Sequence, residues 1–94
     1  MSAITPTAVL VRNEDQFISN PVGEETIILN LATGDYLGLN PVGAFIWNTL
    51  QSPQSVDGII ARLMEAYTVD EETCRRQTLE YLQKMDGFGL LKTA

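Results

Sequence analysis

The chain contains no histidine and a single cysteine, Cys74. Without an imidazole there is no His-dependent triad or dyad, and the commonest general base and metal ligand are missing. One thiol closes no internal disulfide and holds no zinc by itself, so neither a metal site nor a cofactor site is expected. Cys74 reads instead as a buried helix residue, because a free cysteine behaves as a small apolar side chain. A Cys74 nucleophile would lack a base to activate it, which argues against an enzyme. Cations are also scarce: six Lys and Arg stand against twelve Asp and Glu, for a net charge of −6. That balance repels phosphate backbones and anionic lipid, so neither nucleic acid nor a membrane is an expected partner. No phosphate-cradling glycine motif is present. No apolar run approaches the ~18 residues of a membrane span, and the opening MSAITPTAVL shows no basic leader or apolar h-region, which gives a cytoplasmic expectation.

What is present is enough for one small core. With 94 residues and 45% apolar content, the expectation is a loose arm over residues 1–8 and a single domain over 9–94. Val9–Asn13 and Gln16–Asn20 flank the polar pair Glu14 and Asp15, a pattern that fits a short or kinked strand. Pro21–Val22–Gly23 signals a turn, and ETIILNL over 25–31 follows as a strand with Ile27, Leu29 and Leu31 on one face. A glycine-containing turn over 32–35 then returns the chain as YLGL, Tyr36–Leu39.

Three helices come next. Asn40 caps the first and Pro41 sits where its missing N–H is harmless; Val42, Phe45, Ile46, Trp47 and Leu50 form its apolar stripe. Ser55 caps a second helix with Val56, Ile59, Ile60, Leu63, Met64 and Tyr67 on one face. Asp70, Glu71 and Glu72 open a third, where the dipole favours acids, and the glycines at 87 and 89 close it before a short apolar tail, Leu90–Leu91. The plan is therefore α+β and winged helix-turn-helix-like, a three-stranded antiparallel sheet followed by three helices. A DNA-binding transcription regulator shares this plan, but its reading helix would here carry Asp70, Glu71, Glu72, Glu80 and Asp86 against Arg75, Arg76 and Lys84.

The block ETIILNLATGDYLGLNPVGAFIW over Glu25–Trp47, the acidic opening of the third helix and the closing Gly89–Leu90–Leu91 together resemble the PqqD-like family of RiPP recognition elements, with the resemblance spanning roughly residues 9–91. It implies a non-catalytic peptide chaperone without a cofactor. In such proteins the leader of a ribosomally made precursor docks as an added strand between the third strand and the third helix. The implied partners are that precursor and a modifying enzyme such as a leader peptidase, a cyclase or a radical SAM protein, as in lasso-peptide or PQQ biosynthesis. The family often has an acid two residues before the Leu-x-x-Leu of the third helix, where this chain has Gln77.

The residues themselves point the same way. A hairpin edge presents unpaired N–H and C=O groups, and Asp35, Tyr36, Leu37, Gly38 and Leu39 include no lysine, proline or bulge to blunt it. Which alternate set of these amides faces outward is open in the sequence. On the third helix Leu79 widens the apolar face beside Arg75, Leu82 and Asp86, giving one candidate flank for a groove, with the opposite flank near Thr73, Gln77 and Glu80 as the alternative. Arg75 and Arg76 also have acids within helical reach at Glu71, Glu72 and Glu80.

Overall fold

The computed structural model describes residues 8–93. The expected arm therefore lies outside the described residues except at Ala8, which packs against the core. Nine elements follow: β1 (Val9–Arg12), β2 (Phe17–Val22), β3 (Glu25–Asn30), β4 (Tyr36–Leu39), α1 (Pro41–Thr49), β5 (Gln54–Ser55), α2 (Val56–Ala66), α3 (Glu71–Phe88) and β6 (Leu91–Thr93). Strands β2, β3 and β4 make the antiparallel three-stranded sheet in that order, with β3 in the middle.

All three helix caps act as the sequence indicates. Asn40 Oδ1 accepts from Gly43 N at 2.9 Å, Ser55 Oγ from Gly58 N at 3.0 Å and Asp70 Oδ2 from Thr73 N at 2.9 Å. The Thr73 bond holds the Asp70 carboxyl below the usual carboxylate range. Gly89 ends α3 at φ 89°, a left-handed conformation open to glycine.

Two features depart from the expectations. The stretch before residue 20 is two strands in two sheets, divided at Glu14 and Asp15, and Pro21 and Val22 continue β2, so the turn falls at Gly23 (φ 65°). The apolar tail is β6, which with β5 flanks β1 in a second small sheet. That sheet closes the far end of the core: Arg12 N donates to Leu50 O at 3.0 Å and Asn13 N to Leu90 O at 2.7 Å.

The core gathers Leu10, Ile28, Leu39, Ile46, Trp47, Leu50, Val56, Ile59, Leu63, Leu82, Met85 and Leu90, so every helix and both sheets contribute. Cys74 is buried with them. On β3 the buried positions are Thr26 and Ile28, whereas Ile27, Leu29 and Leu31 share the opposite face and look outward. ETIILNL is apolar at successive positions, so the period of two fixes that these three share a face but not which face is covered. No helix of the described residues is long and apolar enough to cross a membrane.

Candidate functional site

The backbone ladder decides which amides of the sheet edges are open. Asn30 N donates to Asp35 O at 2.7 Å, one step beyond the Leu29–Tyr36 pair. Because hydrogen-bonded and non-hydrogen-bonded pairs alternate in an antiparallel ladder, Ile28–Leu37 and Thr26–Leu39 are bonded pairs. Tyr36 and Gly38 therefore turn both their N–H and C=O away from β3, toward open space. On the other side Leu31 N donates to Gln16 O at 2.8 Å, so the outward set of β2 is Phe17, Ser19 and Pro21. Pro21 has no N–H to offer and Phe17 N turns back to Glu14 O at 3.5 Å, which blunts that edge. Of the two edges, β4 is the one whose outward amides are all open.

The open edge runs into a groove against α3. Asn40 and Val42, which follow β4, face Gln77, Glu80, Tyr81 and Lys84 of α3 across a cavity of about 400 Å³. A second, smaller cavity of about 140 Å³ shares Val42 and Gln77 and continues toward the start of α3 between Leu63, Tyr67, Val69, Cys74 and Thr78. The first is lined by two amides (Asn40 and Gln77), an acid and a cation, and the second is mainly apolar, with the Gln77 amide and the Tyr67 and Thr78 hydroxyls among its lining groups. Tyr81 forms the wall between α1 and α3 only because position 43 is glycine: a Cβ there would stand 3.0 Å from the Tyr81 ring and 3.3 Å from Leu39 Cβ.

Of the expected site residues, Tyr36, Leu37, Gly38 and Leu39 form β4 at the edge of the sheet, with Asp35 just before it. Tyr36 is exposed on the outer face, Leu37 packs its side chain on the core, Gly38 has open space around it and Leu39 is buried. Asp35 is exposed, with its carbonyl bonded to Asn30. The helical part does not join them. Neither cavity is lined by Arg75, Leu79, Leu82 or Asp86. Arg75 bridges Asp57 of α2 at 3.0 Å and Glu71 at 3.5 Å, and the Asp57 hydrogen bond raises its pKa above the ordinary value. Leu79 packs on the core margin, Leu82 is fully buried and Asp86 is half-buried near the end of α3. Both cavities lie on the opposite flank of α3, and the flank carrying Arg75 is held to α2 through Asp57. Gln77 and Glu80 belong to the flank the sequence left as the alternative, Lys84 gave no signal beyond a solvated helix face, and the approach of Tyr81 to α1 makes all three line the cavity. Among the described residues no three His, Cys, Asp or Glu side chains converge as a metal site.

Gly43→Ala tests the wall. Overpacking against Tyr81 costs about 1–3 kcal/mol and the gain in helix propensity offsets about 1 kcal/mol. The expected result is a melting temperature within several degrees of the parent and a displaced Tyr81, read as a shifted Tyr81 ring resonance by NMR.

A three-stranded sheet with one open edge, backed by three helices and continued by a groove along the last, defines a winged-helix-like α+β module shaped to take an extended segment. The chain belongs to the PqqD family: the family model described as coenzyme PQQ synthesis protein D (PqqD) matches residues 25–91. Among solved structures it is similar to TbiB1 in complex with the TbiA(beta) leader peptide, with 30% identity, a TM-score of 0.76 and coverage of 84% of this chain and 92% of that one. It also shares the fold of a lasso peptide synthetase B1 complexed with the leader peptide, at 17% identity, a TM-score of 0.76 and coverage of 88% and 96%. No curated protein matches the chain.

Proposed function

We propose that this chain is a non-catalytic carrier that binds the leader segment of a ribosomally synthesised precursor as a fourth strand on β4 and presents it to a modifying enzyme in the cytoplasm. The observation that carries the reading is the edge itself: Tyr36 and Gly38 offer outward donors and acceptors while the only other edge of that sheet is blocked by Pro21. Main-chain pairing along such an edge supplies affinity without regard to sequence, and pockets for alternate side chains supply selectivity. Here the two cavities on the flank of Gln77, Tyr81 and Lys84 are those pockets, in place of the flank of Arg75 and Leu79. The similarity to TbiB1, whose structure contains a leader peptide, supports the same role. By holding the precursor the module raises its local concentration at an enzyme such as a leader peptidase, a cyclase or a radical SAM protein. Nothing favours DNA binding, since α3 opens on Glu71 and Glu72 and its Arg75 is committed to Asp57 and Glu71.

The precursor encoded beside this gene is the ligand for the test. Tyr81→Ala and Lys84→Glu are expected to weaken its binding about tenfold, equivalent to about 1.4 kcal/mol each, whereas Arg75→Ala leaves the dissociation constant within about twofold, a few tenths of a kcal/mol. Calorimetry on the three variants checks this. Loss of binding in Arg75→Ala with retention in the other two would return the groove to the α2 flank.

A further inference from the structure

The outer face of the three-stranded sheet is not needed for main-chain pairing at the β4 edge, yet it exposes large apolar side chains. Ile18, Leu29 and Tyr36 stand in one cross-strand row, with Ile27 and then Gly38 in the next. Ile18, Ile27, Leu29 and Tyr36 are 37% to 74% exposed and, with Ser19 and Asn20 at one side, line a shallow concavity of about 460 Å³. Among the described residues no helix covers this face: all three pack on the side of Ile28 and Leu39. Contiguous apolar surface of this kind on a small protein marks an interaction site, whereas scattered single residues do not.

Charge narrows what covers it. Glu25 lies on the same face as Ile27, Glu24 stands in the adjoining turn and Asp35 borders Tyr36. From Asn13 to Ala61 the sequence contains no lysine or arginine, so the apolar patch has an acidic rim and no cation of its own. A second copy of the chain would bring acid against acid, and an anionic membrane would be repelled for the same reason.

We infer that the outer face of β2, β3 and β4 is the docking surface for a protein that presents an apolar patch ringed by lysine and arginine. The face adjoins the β4 edge and lies on the opposite side of the sheet from the α3 groove, so a partner seated there leaves the groove open and is within reach of a strand added at β4. That partner is the enzyme acting on the captured precursor; this assignment, though not the surface itself, rests on the function proposed above.

The probe is the purified modifying enzyme encoded beside this gene, titrated against the whole chain by interferometry at low and high salt. The expected result is binding that weakens with salt and that falls about tenfold or more in Ile27→Lys and in the uncharged, strand-compatible Leu29→Thr. A labelled leader peptide, titrated in parallel, is expected to bind both variants as it binds the parent, which shows that they are folded. Enzyme affinity unchanged in both variants overturns the inference, as does a parent chain that sediments as a dimer dissolved by either substitution. A leader that fails to bind the parent, while the enzyme still binds and loses affinity in the variants, sinks the leader reading and sustains the docking surface.

Discussion

Trp47→Ala is expected to lose a large share of the folding stability of this chain. Trp47 is the largest side chain in the core and only 1% exposed; truncating such an aromatic costs about 3–5 kcal/mol. At about 0.05–0.15 kcal/mol per residue, a chain of this length has only about 5–14 kcal/mol to lose. The damage extends beyond the cavity, because Trp47 also carries the contact of α1 with Arg12 of β1. The Arg12 guanidinium of β1 lies 5.0 Å from the centre of the indole ring and donates to Trp47 O at 3.4 Å. Glu14 holds the same guanidinium at 3.2 Å from the open side. Trp47→Phe separates these contributions. Indole Nε1 is buried without a hydrogen-bond partner among the described residues, and an unsatisfied buried donor costs about 1–3 kcal/mol. Phenylalanine removes that burden and keeps an aromatic face under Arg12, so its urea midpoint is expected to lie much nearer the parent than that of alanine. Equal midpoints for the two variants would show that the indole volume, and not the platform, is what matters.

How far the sequence reaches can be seen by comparing the helices with the strands. Helix starts rest on local chemistry, an oxygen three residues ahead of an orphan amide, and Asn40, Ser55 and Asp70 all make that bond. Strand placement depends on partners that are distant in the chain. β5 and β6 are two and three residues long, too short to show any period, and they exist because β1 lies between them. The site divides in the same manner. The edge was legible because Tyr36–Leu39 follows a turn and lacks any blunting residue. The groove was not, because its flank is chosen by a pair 18 positions apart, Arg75 with Asp57, and by the glycine at 43 that lets Tyr81 approach α1. Arg75 next to Leu79 looked like a cationic anchor beside an apolar pocket; instead Arg75 fastens α3 to α2 through Asp57 and Leu79 packs on the core margin.

The ladder phase turns strand addition into an experiment with opposite outcomes at adjacent residues. Tyr36 and Gly38 point their amides outward, whereas Leu37 N–H belongs to the bonded pair with Ile28. Proline lacks that donor, so its effect depends on which way the amide faces. Gly38→Pro is expected to fold, because nothing lies within 4 Å of a Cβ placed there and the extended preference it imposes on Leu37 suits a strand. It removes one bond to the leader, worth about 1 kcal/mol, and leaves a leader carbonyl facing a ring in place of a donor, so affinity should fall about tenfold. Gly38→Ala is the control, with the donor kept and binding retained. Leu37→Pro instead breaks the bond to the central strand and disturbs a side chain packed on the core, so it should lower the melting temperature before it affects binding. In hydrogen exchange, adding the leader should newly protect the amides of Tyr36 and Gly38, while Leu37 and Leu39 are already protected in the free protein. A Gly38→Pro variant that binds the leader like the parent, with Tyr36 and Gly38 amides exchanging as fast in the complex as outside it, means that the peptide does not bind by pairing with β4.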